Sequence, residues 1–268
     1  MLNLRSNITV KDLLEYKLFN TSLPEQTKIA DFLTQVDTQI SLLADKVAQL
    51  QLYKKGVMQK LFSQELRFKD EDGKDYPEWE EKKLGEVADI TSSKRVFLSD
   101  YVEKGVPFYR GKEISELKKG NQPSDLLYIT EESFSIFKEK YGVPQKDDLL
   151  ITAVGTIGNT YHIPNNDPFY FKDGNLIWLR NIVNHNSIFI EYSLEYSKSE
   201  IEKISSGSTQ KALTIVKLKV LKVSFPSLPE QTKIANFLTA IDEQIAGVEE
   251  QLAQSREFKK GLLQGMFV

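Results

Sequence analysis

Apolar side chains recur at Ile29, Leu33, Val36, Ile40, Leu43, Val47 and Leu50 in alternating steps of four and three, and the seam continues to Val57 and Leu61. A second run, Ile234, Leu238, Ile241, Ile245, Val248 and Leu252, then Leu262 and Met266, keeps the same register. A 3.5-residue spacing marks the narrow seam of a coiled coil rather than the broad face of a globular helix. Each run predicts a helix of about 40 residues, ~60 Å long at ~1.5 Å per residue.

The two runs are copies. Residues 22–40, SLPEQTKIADFLTQVDTQI, return as residues 227–245, SLPEQTKIANFLTAIDEQI, and the constant offset holds without a gap through KKG at 54–56 and 259–261. Ser22 and Ser227 are candidate N-caps, with Pro24 and Pro229 in the first turn and Glu25 and Glu230 completing a Ser-x-x-Glu capping box. The motif Leu23, Pro24, Glu25, Gln26 and its copy Leu228, Pro229, Glu230, Gln231 thus starts a helix well, and it is also the candidate partner-binding surface. The expected organisation is a strand segment at 1–21, helix 1 at 22–64, an acidic linker at 65–81, a module at 82–226 and helix 2 at 227–268. The repeat extends into the first segment, where TVKDLL at 9–14 lies opposite TIVKLK at 214–219. Residues 1–21 therefore read as the last strands of a second module.

The middle changes texture. Short β-type runs at 148–154, 169–171, 175–179 and 213–225 lie between Gly, Pro, Asn and Asp turns, with helical stretches at 131–141 and 188–204. The expected fold is mixed α+β: one globular α/β module plus two long helices in an antiparallel coiled coil. Antiparallel pairing follows if helix 1 enters and helix 2 leaves the module at neighbouring points, and each seam side chain then buried contributes roughly 1.5–3 kcal/mol before entropy.

Composition narrows the chemistry. The 268 residues include no cysteine and two histidines, His162 and His185, so a thiolate zinc site is excluded and any metal site would rest on carboxylates. No apolar run approaches the ~20 residues that span a bilayer, no signal-peptide pattern opens the chain, and a cytoplasmic location without membrane contact is the expectation. Neither a Walker A sequence nor G-x-G-x-x-G is present. Asp167-Pro168-Phe169-Tyr170 reads as a turn entering a strand, and Glu257-x-Lys259 as a solvated helix face. No catalytic residue, metal or cofactor is assigned.

What remains is a set of groups suited to phosphates and base edges. Lys94 and Arg95 follow a Thr-Ser-Ser run, Arg110 and Lys112 flank Gly111, and Thr156 lies in a Gly-Thr-Ile-Gly turn. Ser206, Gly207, Ser208, Thr209, Gln210 and Lys211 form a glycine loop with hydroxyls, an amide and a cation. Small residues let backbone N–H groups approach a phosphate, lysine neutralises it, and arginine or glutamine reads base edges. Against this, acidic residues outnumber basic ones between 65 and 207, so phosphate-driven affinity of the isolated chain should be weak.

PEWEEKKLGEVADI at 77–90, VPFYRGKEI at 106–114, DDLLITAVGTIGNTYHI at 147–163 and SSGSTQKALTIVKLKVLKVSFPSLPEQ at 205–231, together with the duplicated helices, resemble specificity subunits of type I restriction-modification systems. The resemblance covers nearly the whole chain. It implies a target recognition domain that reads one half of a split site in double-stranded DNA. The helices would then act as spacer and as dock for modification (methyltransferase) subunits, and through them for the restriction subunit. Such subunits read target domain, helix, target domain, helix; this chain lacks the first domain and resembles a half-length form. A two-part target would then require a second copy, as in a homodimer with a palindromic site. The alternative is a silent or purely structural cassette that folds without assembling.

Overall fold

The computed structural model describes residues 21–205 and 211–266. Both long helices form: α1 spans Leu23–Phe62, and the last helix, α8, spans Leu228–Met266. Seam residues Val36, Leu61, Ile234, Leu238, Ile241, Ile245, Val248 and Leu252 are buried, and the other α1 seam positions are half-buried. The chain divides into two compact units, one of residues 1–53 with 242–268, the other of residues 54–241. In the first, Gln51 Nε2 donates to Glu249 Oε1 at 3.3 Å and Lys259 Nζ to Asp37 Oδ1 at 2.5 Å. One residue number rises as its partner's falls, so the pairing is antiparallel and within the chain.

In the second unit, β1 (Glu80–Lys83), α2 (Leu84–Val87) and β2 (Asp89–Thr91) open the module. They are followed by β3 (Tyr101–Val102), β4 (Val106–Tyr109), α3 (Gly111–Lys118), β5 (Leu127–Ile129) and α4 (Glu131–Tyr141). Then come β6 (Leu149–Thr152), β7 (Thr160–His162), β8 (Tyr170–Phe171) and β9 (Leu176–Arg180). Helices α5 (Ser187–Tyr196), α6 (Lys198–Ile204) and α7 (Ile215–Lys219) precede β10 (Lys222–Phe225). One four-stranded sheet runs β2-β9-β6-β7, all antiparallel. Another runs β3-β5-β4-β8, with β4 and β8 parallel, and β1 pairs with β10 where chain enters and leaves. Leu149 to Thr152 are all buried, as expected of a central strand covered on both faces. Ile114, Leu150, Phe171 and Trp178 pack in one core cluster, and Val106, Phe108, Ile129 and Tyr170 in another.

Several expectations change. The 213–225 run is not one strand: Thr214 caps α7, its side chain accepting from Lys217 N, before β10. The 188–204 stretch is two helices meeting at Ser197, which ends α5 and begins α6. Helix α3 is unanticipated; Glu113 sets its start by accepting from Arg110 N at 2.7 Å. The capping box also fails. Ser22 and Ser227 do accept the first backbone bonds through their carbonyls, but Ser227 Oγ is buried without a partner. Glu25 instead accepts from Thr21 Oγ1 at 2.5 Å, and Glu230 turns to Arg67.

That turn explains how the module grips the helices. Glu230 is 0% exposed, and Arg67 donates to both its oxygens, from Nε at 3.2 Å and Nη2 at 2.9 Å. Gln231 Oε1 accepts from Asn186 N at 2.9 Å while its Nε2 donates to Pro226 O at 2.8 Å. Phe62 stacks on Tyr196 at 5.1 Å and leans on Phe189 at 5.6 Å, and Lys54 Nζ lies over the Tyr192 ring, 3.6 Å from Glu195.

Candidate nucleic-acid interface

Sequence-distant loops meet at one end of the sheets. Strand β2 ends there, and Ser92 Oγ donates to Leu176 O at 3.0 Å and Ser93 Oγ to Phe171 O at 2.6 Å. Lys172 N donates to Tyr109 O at 2.9 Å, joining the 172–175 turn to the strand that leads into Arg110. Ala153 N donates to Asn175 O and Leu213 N to Ala153 O, bringing the 153–159 turn and the residues after Lys211 alongside. Asn159 Nδ2 donates to Ser115 Oγ at 3.4 Å, tying that turn to α3. Lys94, Arg95, Arg110, Lys112, Thr156 and Lys211 thus belong to one loop cluster, although they span more than 100 positions. Residues Ser206, Gly207, Ser208, Thr209 and Gln210 lie outside the described residues.

The residues differ in what they can offer a ligand. Lys94 N donates to Tyr170 Oη at 2.8 Å while its ammonium lies 5.6 Å over the Tyr141 ring. Arg95 is exposed and reaches Asp173 at 2.9 Å, a surface pair that a phosphate can displace at small cost. Thr156 is exposed, its carbonyl accepting from Thr152 Oγ1, and Lys211 is exposed. Lys112 sits 3.9 Å from Glu116, one turn along α3.

Arg110 is paired within the module. Its Nε and Nη2 bond Glu113, which is 0% exposed, and Nη2 also donates to Asp125 O at 3.1 Å. Burial alone would raise the Glu113 carboxyl, but hydrogen bonds from the Arg110 side chain and backbone outweigh it and hold the group below its ordinary value. Arg110 therefore anchors α3 through Nε and Nη2 while its side chain stays 30% exposed. Of the motif residues, Leu23, Pro24, Glu25, Gln26, Leu228 and Pro229 are exposed, whereas Glu230 and Gln231 are buried within the chain.

Residues missed from sequence include Tyr141, whose ring faces Lys94, and Lys172 in the turn beside Arg95. A lysine after three aromatics, FYFK, was the available signal. At the opposite end of the sheet, His162, Asp147 and Ser187 come together, but both contacts, each 3.1 Å, use His162 Nε2. A serine–histidine–aspartate relay needs the two partners on different ring nitrogens. Burial raises Asp148, which accepts from Trp178 Nε1 at 2.8 Å, and Glu191, which lies 3.4 Å from Lys118. Among the described residues no group of three His, Cys, Asp or Glu is placed to hold a metal ion, and no helix is long and apolar enough to cross a membrane.

Residues 76–255 match the family of the type I restriction modification DNA specificity domain. The chain belongs to that family. Among curated specificity-domain relatives, a putative type I restriction enzyme specificity subunit of Haemophilus influenzae is 32% identical over 170 residues, covering 63% of this chain and 42% of the relative. The putative MjaX specificity subunit of Methanocaldococcus jannaschii is 30% identical over 271 residues, covering 97% of this chain and 60% of the relative. The chain thus spans less than two thirds of the length of either. In fold it is similar to the type I restriction-modification S subunit of M. genitalium (TM-score 0.62, 20% identity, 98% of this chain and 66% of that one). It is likewise similar to the HsdS subunit of Thermoanaerobacter tengcongensis (TM-score 0.59, 22% identity, 90% and 56%). The mixed α/β domain with two long helices is therefore the specificity-subunit fold.

Proposed function

We propose that this chain is the non-catalytic, DNA-reading subunit of a type I restriction-modification complex. The observation that carries it is the convergence of Lys94, Arg95, Thr156 and Lys211 on one loop cluster, held by backbone bonds between strands. Loops on a rigid sheet can present cations to phosphates and amides to base edges without reordering the scaffold. The module reads one half-site, the paired helices set its distance from a second, and the assembly docks methyltransferase subunits that supply the chemistry.

The repeat supports a second recognition module, brought by a second copy in a homodimer. In the second helix copy, Glu230 and Gln231 are covered by Arg67 of the linker and Asn186 of the module. Lys233 likewise donates to Lys69 O and Phe237 meets Phe68 edge-on, whereas the first copy's equivalents of Glu230, Lys233 and Phe237, namely Glu25, Lys28 and Phe32, are exposed. Gln26 Nε2 donates to Thr21 O at 2.8 Å, as Gln231 does to Pro226 O. Glu230, Lys233 and Phe237 are therefore engaged, while Glu25, Lys28 and Phe32 of the duplicate are exposed.

Methylome sequencing of cells carrying this chain and its modification subunit tests the reading. A two-part, palindromic methylation pattern is expected, lost in the Lys94→Ala/Arg95→Ala variant; an unchanged methylome on removing the chain rejects it. Since acidic residues outnumber basic ones between 65 and 207, the purified chain alone should bind DNA weakly. Tight, sequence-specific binding by the chain alone contradicts the proposed division of labour.

A further inference from the structure

Helix α3 runs from the loop cluster toward the side of the module that meets α1. Its start carries Arg110 and Lys112, and Ser115 Oγ accepts from Asn159 Nδ2 at 3.4 Å while donating to Gly111 O at 2.8 Å. The 153–159 turn and the first turn of α3 thus move as one piece. Eight residues make a rod ~12 Å long, and it ends on Lys118. There Lys118 Nζ lies 3.4 Å from Glu191 Oε1 and 3.7 Å from Glu195 Oε2, two carboxylates one turn apart on α5. It also lies 3.4 Å from Thr160 Oγ1 on β7. Glu195 offers its other oxygen, Oε1, to Lys54 Nζ at 3.6 Å. Lys54 belongs to α1, in the part that shares a compact unit with the module, and its ammonium is held over the Tyr192 ring at 5.0 Å. One carboxylate therefore joins the far end of α3 to α1.

Folding α3 does not call for this bridge. Ile114 already fixes the helix in an apolar core cluster, with Leu117 packed against it. Glu191 and Glu195, four residues apart on one helix, repel each other, and only a cation set between them reconciles the pair. Partly buried ionic groups add little net stability over apolar packing of the same volume. What they add is direction, because each donor must meet a fixed acceptor. The alternation Lys54, Glu195, Lys118, Glu191 therefore fixes how the end of α3 sits on α1, and through the rod it fixes the 153–159 turn and the Arg110–Lys112 segment.

We infer that Lys118, Glu195 and Lys54 are positioning residues, which hold the reading loops at a set angle to α1 and so restrict the spacer length between half-sites that the complex accepts. This rests on the proposed two-part DNA target. One added base pair moves the second half-site by ~3.4 Å and turns it by roughly 34–36°, a displacement that a rigidly held module rejects and a loosened one follows. Methylome sequencing of cells carrying the chain and its modification subunit reads the half-site bases and the gap between them in one measurement. The parent should methylate a single spacer length. Lys118→Met, which keeps the side chain's length and removes its charge, should raise methylation at spacers one base pair longer or shorter at least about tenfold, with the half-site bases unchanged. Glu195→Gln should do the same, and Lys118→Arg should keep the parental pattern. Urea midpoints show that the variants are folded; Glu195, whose side chain is 37% exposed, carries the test if Lys118→Met is not. Methylation that falls at the parental spacer without spreading to others marks a merely structural bridge and overturns the inference, as does an unchanged pattern in both variants. If the parent methylates no two-part site, the DNA-reading proposal fails first, and the inference falls with it.

Discussion

Arg67→Ala removes the guanidinium that neutralises Glu230. Both carboxylate oxygens accept from Arg67, at 3.2 and 2.9 Å, and the residue is 0% exposed, so water reaches it only by opening the junction between module and helix. Arg67 also donates to Tyr76 O and Pro77 O at 3.2 and 2.7 Å, which ties the linker to the same point. Stranding a buried charge costs about 3–5 kcal/mol, whereas an exposed pair such as Lys69–Asp75, 3.8 Å apart, is worth about 0–1 kcal/mol. The repeat supplies the control: Glu25→Ala alters the same residue of the motif in an exposed setting and should stay within about 0.5 kcal/mol. Replacing both partners, Arg67→Met with Glu230→Leu, should restore most of the loss, because neither charge is then buried alone. Urea unfolding followed by tryptophan fluorescence measures all three, since Trp79 sits 6.3 Å from Phe62 at the junction and Trp178 lies in the module core. A loss below about 1 kcal/mol for Arg67→Ala, or equal losses for Arg67→Ala and Glu25→Ala, refutes the reasoning.

Lys94→Ala/Arg95→Ala should leave stability within about 0.5 kcal/mol per site and abolish methylation in cells. Retained methylation would remove both lysine and arginine from the reading surface. Gly105→Ala should destabilise by at least about 1–3 kcal/mol, because at φ 155° an added Cβ overlaps the Ile129 carbonyl oxygen; an unchanged melting temperature would contradict this. The Glu113 carboxyl, held below its ordinary 4.5 by Arg110, contributes stability that is fully present above about pH 4.5–5 and is lost as pH falls through its folded value. Glu113→Gln should therefore flatten the acid limb of a stability–pH curve, and an equally steep limb would show that other carboxylates set it.

Local rules reached far in this chain. Alternating steps of four and three placed both helix seams, because a 3.5-residue period needs only the chain's own geometry to be read. Helix Glu131–Tyr141 was legible for the same reason. Helix Gly111–Lys118 was not, since its start depends on a buried Glu113–Arg110 pair that no spacing announces. The loop residues Lys94, Arg95, Thr156 and Lys211 were legible as types suited to DNA, but their assembly at one sheet end is a product of strand order.

The repeat draws the line between the two kinds of information most sharply. Sequence alone determined that Ser-Leu-Pro-Glu-Gln begins two equivalent helices and that their seams match. It could not say that Glu230 would be sealed beneath Arg67 while Glu25 met solvent, because identical side chains carry identical local preferences. Only the tertiary structure decided that, by carrying Arg67 and Asn186, which lie 163 and 45 positions away from Glu230 and Gln231, onto one copy of the motif. Burial and charge pairing are properties of neighbours in space, and those neighbours are set by the fold of the module rather than by the motif itself.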